Sequence, residues 1–206
     1  MFGSKFTYAF RVLCGAALIV VITGCAHPIN IAPDLKSIRK NEVSEKSVNK
    51  VTYFFNEDID IEVITSAGGG DKVRYKPYKD LDVGIYKTFS DIFKQTKLVK
   101  NSEMAKDTDA DYLAAISITT DSSSDSAFTW PPTTFVVNLY AEFKNVKSGE
   151  KTQIRSTGEG RADFYEMKGE FNLSAKRASE DLLKKFSSAI LNSGVATNKD
   201  SLNTQK

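Results

Sequence analysis

From Thr133 to Val146 the chain reads TTFVVNLYAEFKNV, with Phe135, Val137, Leu139, Ala141 and Phe143 on alternate positions. Only an extended strand puts such a series on one side, because its side chains repeat every two residues. Asn138, Glu142 and Lys144 then fall on the opposite side, so one face of the sheet must be covered and the other can meet water. DADYLAAISITT repeats the pattern through Tyr112, Ala114, Ile116 and Ile118. After the turn KSGEK, the Ile154, Ala162 and Phe164 of TQIRSTGEGRADF suggest a less hydrophobic partner strand. VTYFF and IDIEVIT concentrate β-branched and aromatic residues and read as strands, and KLVKN as a short one.

The cover comes from two segments with helical period. Leu81, Ile85, Phe89, Ile92 and Phe93 recur at spacings of three and four, with Asp80 as the expected N-cap. Phe171, Ala175, Ala178, Leu182, Phe186 and Ile190 mark a longer helix that stops near Gly194. SAGGGDKVRYKPYKD reads as a loop. The expectation is a single α+β domain over residues 51–195, mainly antiparallel, with two amphipathic helices packed on one face of the sheet.

The amino-terminal end is of another kind. Lys5 and Arg11 precede VLCGAALIVVITG, and no acidic residue occurs before Cys25. An apolar helix of about thirteen residues spans roughly 20 Å, short of a hydrocarbon core of about 30 Å. It fits the hydrophobic part of a secretory signal better than a permanent span. The run ends at Ile22-Thr23-Gly24-Cys25, which resembles a bacterial lipobox. That resemblance implies cleavage before Cys25, diacylglycerol on its sulfur and attachment to a membrane through the lipid. A thiol suits the chemistry because its thiolate is a strong nucleophile. Ala26, not aspartate, follows the cysteine, which by the same resemblance implies the outer membrane, facing the periplasm. The expected organisation is a signal peptide over 1–24, a lipidated tether over 25–50, the domain, and a polar tail over 196–206. A tether of about 25 residues would reach roughly 80 Å at full extension, and much less if it packs against the domain.

Processing at Cys25 changes the charge balance. Of 28 basic residues, Lys5 and Arg11 lie before it, which leaves 26 against 26 acidic residues. A neutral chain without a basic, aromatic-interleaved block gives no reason to expect nucleic acid. Cys14 and Cys25 are the only cysteines, so no disulfide is expected after processing, and the core alone must hold the domain.

No sequence pattern selects a catalytic or metal site, and no cofactor is expected. The one histidine, His27, lies beside the anchor, remote from any Ser-His-Asp arrangement in the domain. Zinc lacks its usual ligands. Ser37-Ile-Arg-Lys40 and Ser148-Gly-Glu-Lys151 match a Ser-x-x-Lys spacing but lie in flexible or turn sequence. Gly68-Gly69-Gly70 is contiguous and followed by Asp71, unlike a phosphate-binding loop. Asp107, Asp109 and Asp111 alternate and lack an EF-hand's glycine and distal glutamate.

One loop stands out. TTDSSSDSAFTWPPTT places Phe128 and the sole tryptophan, Trp130, before Pro131 and Pro132. Paired prolines stiffen the backbone, so this loop is the candidate partner-binding element, with tryptophan a common hot spot. The competing possibility is that Trp130 folds back as a cap on the core. In its order of elements the chain resembles envelope accessory lipoproteins with TolB N-terminal-like domains, a class that includes curli-secretion and penicillin-binding-protein-activator lipoproteins. The resemblance spans about Lys50 to Val195 and implies a non-enzymatic factor that binds another envelope component, a protein first, in assembly or maintenance. The alternative is a lipoprotein that holds a glycan, lipid or lipopolysaccharide-type ligand.

Overall fold

The computed structural model describes residues 25–38, 46–126 and 130–197. The expected signal peptide over 1–24, the end of the chain beyond residue 197, and Phe128 lie outside them. Among the described residues, eight strands, three α-helices and one 3₁₀ turn form an α+β domain. In chain order the elements are β1 (Ala26–Pro28), β2 (Ser47–Phe55), β3 (Val63–Ser66), β4 (Lys72–Tyr75), α1 (Pro77–Ile92), β5 (Phe93–Leu98), α2 (Ser102–Lys106), β6 (Tyr112–Ser123), β7 (Thr134–Asn145), β8 (Lys151–Arg161) and α3 (Leu173–Asn192).

The main sheet runs β5-β2-β6-β7-β8. Its two longest ladders are antiparallel: β6 pairs with β7 from Tyr112↔Asn145 to Ser123↔Thr134, and β7 with β8 from Thr134↔Arg161 to Lys144↔Lys151. At the other side, β2 lies parallel to both β5 and β6. Parallel neighbours need a crossover, and α1 and α2 lie in those connections. A smaller sheet, β1-β4-β3, abuts the far half of β6. There Tyr75 Oη donates to Thr120 Oγ1 at 2.8 Å, and Ser122 Oγ donates to Thr65 Oγ1 at 2.6 Å.

The inward residues of β6 and β7 named from the sequence are all buried, beneath α1 and α3. Phe89 sits at the centre, its ring 5.0 Å from Tyr53, 5.9 Å from Phe143 and 5.7 Å from Phe186. β8 presents Ile154, Ser156, Gly158 and Gly160 to this side. A Cβ on Gly158 or Gly160 would fall inside the backbone of α3 at Ser174, Ala178 and Leu182, so the glycines let the helix lie directly on the strand.

Several boundaries differ from those expected. Helix α1 begins at Pro77, where a missing N–H costs nothing, and Asp80 lies inside its first turn instead of capping it. Phe93 leaves the helix and opens β5. KVRY is a strand, β4, joined to β3 by a tight turn in which Gly69 and Gly70 take positive φ values of 65° and 84°. Phe164 and Phe171 point out, 53% and 54% exposed, because β8 ends at Arg161 and α3 starts only at Leu173.

Of the two possibilities for the expected tether, residues 25–38 take the packed one. Ala26–Pro28 pairs in parallel with Lys72–Arg74, and the Ile29 amide donates to the Arg74 carbonyl at 3.0 Å. Beyond it the Ile31 amide donates to an Asp80 carboxylate oxygen at 3.1 Å, and the Asp34 amide to Glu180 at 3.1 Å. Ile31 and Ile38 are buried, and Pro33 approaches Gly84 of α1, itself set against Leu183 of α3. The segment is a strap across both helices. Burial raises the Asp80 carboxyl above its ordinary range, opposed by the Ile31 amide. Scattered apolar residues with no helical face suit an extended strap as well as they suit a linker.

Candidate functional site

Strand β1 begins one residue after Cys25, whose side chain is exposed. The Cys25 carbonyl accepts from the Lys72 amide at 3.2 Å, so the residue is fixed by the small sheet. His27, two residues on, places its ring 4.6 Å from Trp130 and its Nε2 3.6 Å from an Asp71 oxygen. Trp130 in turn lies 5.1 Å from Phe171. Three rings thus run from His27, two residues after Cys25, to the segment before α3.

The strand register explains why these parts meet. Ser123, Thr134 and Arg161 stand side by side across β6, β7 and β8, so the 124–133 loop and the 162–172 segment leave the same end of the sheet. The Ala162 amide donates to the Thr133 carbonyl at 3.0 Å, and Ser174 Oγ donates to the Pro132 carbonyl at 2.7 Å. Pro131 and Pro132 are buried against these neighbours and are not displayed. Trp130 is half-buried and packed against the core, which joins the two sequence possibilities: one side caps, the other faces out. Its indole N–H has no hydrogen-bond partner among the described residues.

Sequence reasoning missed the exposed aromatics at this end. Phe164, Tyr165 and Phe171 are each more than half exposed, and Lys168 Nζ lies 4.9 Å from the Tyr165 ring. Their segment is clamped by Arg177, whose two terminal nitrogens reach Glu166 at 3.1 and 2.8 Å. The guanidinium and the Asp163 amide together hold the Glu166 carboxyl down at about 2. A turn sequence crowded with Phe and Tyr was the available signal.

A second feature is a groove of about 720 Å³ beyond the carboxyl ends of β2 and β5, the end of parallel strands where open sheets bind ligands. Phe55, Ile59, Leu98, Val99 and Met104 give it an apolar lining, with Lys100, Glu57 and Asp107 among its polar neighbours.

The acidic and serine motifs resolve into structural roles. Asp109 pairs with Lys50 at 2.6 Å, and Asp111 accepts from the Lys50 amide at 2.8 Å. Ser37 Oγ donates to the Asp34 carbonyl, and Ser148 lies in the turn between β7 and β8. Among the described residues no three His, Cys, Asp or Glu side chains converge on a metal-sized site, and no helix is long and apolar enough to cross a membrane.

No protein-family profile matches the chain, and no curated protein matches it in sequence. Solved structures similar to it include two from other bacteria. One is a Xanthomonas campestris protein of the family DUF330, 13% identical, with a TM-score of 0.41 over 88% of this chain and 97% of that one. The other is a Caulobacter crescentus protein provisionally described as a lipoprotein, 12% identical, with a TM-score of 0.31 over 64% of this chain and 86% of that one.

Proposed function

We propose that the chain is a lipid-anchored, non-enzymatic binding protein of the bacterial envelope, held by acyl chains on Cys25 in the outer membrane and facing the periplasm. The observation that carries this reading is the run Ile22-Thr23-Gly24-Cys25 at the end of an apolar segment, with Cys25 exposed and the fold starting at the next residue. Two or more acyl chains hold a protein on a bilayer far longer than one. Its task is recruitment of an envelope protein in assembly or maintenance. Confinement to a membrane raises the local concentration of the partner without a strong intrinsic interface. Because the strap is bound down along 26–38, the anchor supplies orientation more than reach.

The groove at the ends of β2 and β5 favours a second reading. Its apolar lining suits a ligand with an acyl or other apolar part, held by a protein otherwise placed in the same way.

The test begins with the full chain produced in a Gram-negative host. Intact mass of the membrane-extracted protein should show an amino terminus at Cys25 carrying acyl groups, and Cys25→Ser should leave the membrane fraction. A terminus upstream of Cys25, or a mass without acyl addition, overturns the anchor. A photo-crosslinker at Met104 in intact cells should recover one envelope protein reproducibly. Lipid co-purifying with the folded chain, and no protein adduct, would instead favour the ligand reading.

A further inference from the structure

If Cys25 carries lipid, its glycerol lies at headgroup level, and the structure leaves little slack between that point and the domain. The Cys25 carbonyl is hydrogen-bonded to Lys72, and His27 is two residues away, a reach of about 7 Å. Amphipathic surfaces sink roughly 5–10 Å into the boundary between headgroups and acyl chains. The His27–Trp130–Phe171 ring series starts within that depth of the anchor. Phe164 and Tyr165 leave the same sheet end, following a strand residue, Arg161, paired beside the loop that holds Trp130.

The chemistry of this end suits the same surroundings. Exposed Phe and Tyr beside a half-buried Trp match the residues that favour membrane–water interfaces; the polar tip at this end is the Tyr165 hydroxyl, since the Trp130 N–H is buried. Two of its carboxylates are ion-paired, Glu166 with Arg177 and Glu170 with Lys176. Lys72 and Lys168 make no ion pair among the described residues and can meet lipid phosphates.

We propose that the Cys25 end of the domain is a membrane-contact face, on which Phe164, Tyr165, Phe171 and the outer edge of Trp130 enter the headgroup region of the bilayer that the lipid anchors. The proposal rests on the lipidated reading of Cys25. It sets the orientation of the domain: the Ser123 end of β6 faces the membrane.

Trp130 is the only tryptophan, so its emission reports this face alone. The native lipoprotein is reconstituted into vesicles of phosphatidylethanolamine and phosphatidylglycerol, with and without brominated phosphatidylcholine. The expected result is a blue shift and a loss of emission to the brominated lipid. A Phe164→Ser, Tyr165→Ser, Phe171→Ser variant should stay anchored and folded by circular dichroism yet lose that quenching, while Val83→Ser, on exposed α1 surface, should keep it. In parallel, the unlipidated Cys25–Lys206 chain, which contains every described residue and a single cysteine, is coupled through Cys25 to a maleimide-bearing lipid. Quenching of the coupled chain supports the face even where native protein proves to carry no acyl group. A lipidated native chain with unquenched Trp130 overturns the face and leaves the anchor standing. Absence of both acylation and quenching overturns both.

Discussion

Replacing Gly160 by alanine tests how the end of the sheet that carries Trp130 is built. A Cβ there would meet the Ser174 carbonyl oxygen and Ala178 nitrogen well inside 3.0 Å, with the Arg177 carbonyl carbon at 3.0 Å. These are backbone atoms of α3, so no side chain can swing aside. The helix must retreat by on the order of 1 Å, and a gap of that size forfeits a quarter to a half of each contact it opens. Leu182, Phe186 and Ile190 lie along the same buried face and lift with it. Overpacking ordinarily costs about 1–3 kcal/mol, and a backbone clash falls at the top of that range, about 3 kcal/mol or more. For a chain of this size that is a fall in Tm on the order of 6–12 °C, read by thermal circular dichroism. Gly158→Ala, which clashes with Ala178 and Leu182, should cost a similar amount. One displacement relieves both clashes, so the double variant should lose clearly less than the sum of the singles. Because Ser174 holds the Pro132 carbonyl, Trp130 emission should shift in Gly160→Ala before unfolding begins. Singles that melt within roughly 2 °C of the parent, or that add in full, would refute direct seating of α3 on β8.

Two further outcomes follow from the same structure. Ile31→Ala removes a fully buried side chain from the strap and should cost about 2–5 kcal/mol, with hydrogen exchange rising first at the amides of residues 26–33; exchange unchanged there would mean that the strap contributes no fixed orientation. Glu166 titrates at about 2 in the fold against 4.5 ordinarily, so its contribution is complete above about pH 4.5 and disappears as pH falls toward 2. The Tm difference between the parent and Glu166→Gln should therefore be constant near neutrality and shrink over that acid window; a constant difference down to pH 2 would show that Arg177 does not hold the segment.

Elements with a long, regular period were legible from the residues alone. Alternation in β6 and β7 and the 3.6-residue repeat of α1 and α3 each dictate a buried side, because a strand or helix has no other way to gather those residues. The small inward side of β8 was legible as low hydrophobicity, but its cause is a helix resting on two glycines, a contact between residues about twenty apart. Short strands were decided by their partners. KVRY is extended because β3 and β1 flank it, and PINI holds to β4 and then to Asp80, although the charged, proline-containing stretch it belongs to reads as a tether. The candidate site follows the same division. Cys25 was visible as a motif, since its chemistry is local. That His27, Trp130 and Phe171 form one ring series, and that Pro131 and Pro132 turn inward, depends on strand register across the whole sheet. Register is set by pairing between distant segments, and only the folded chain brings those segments together.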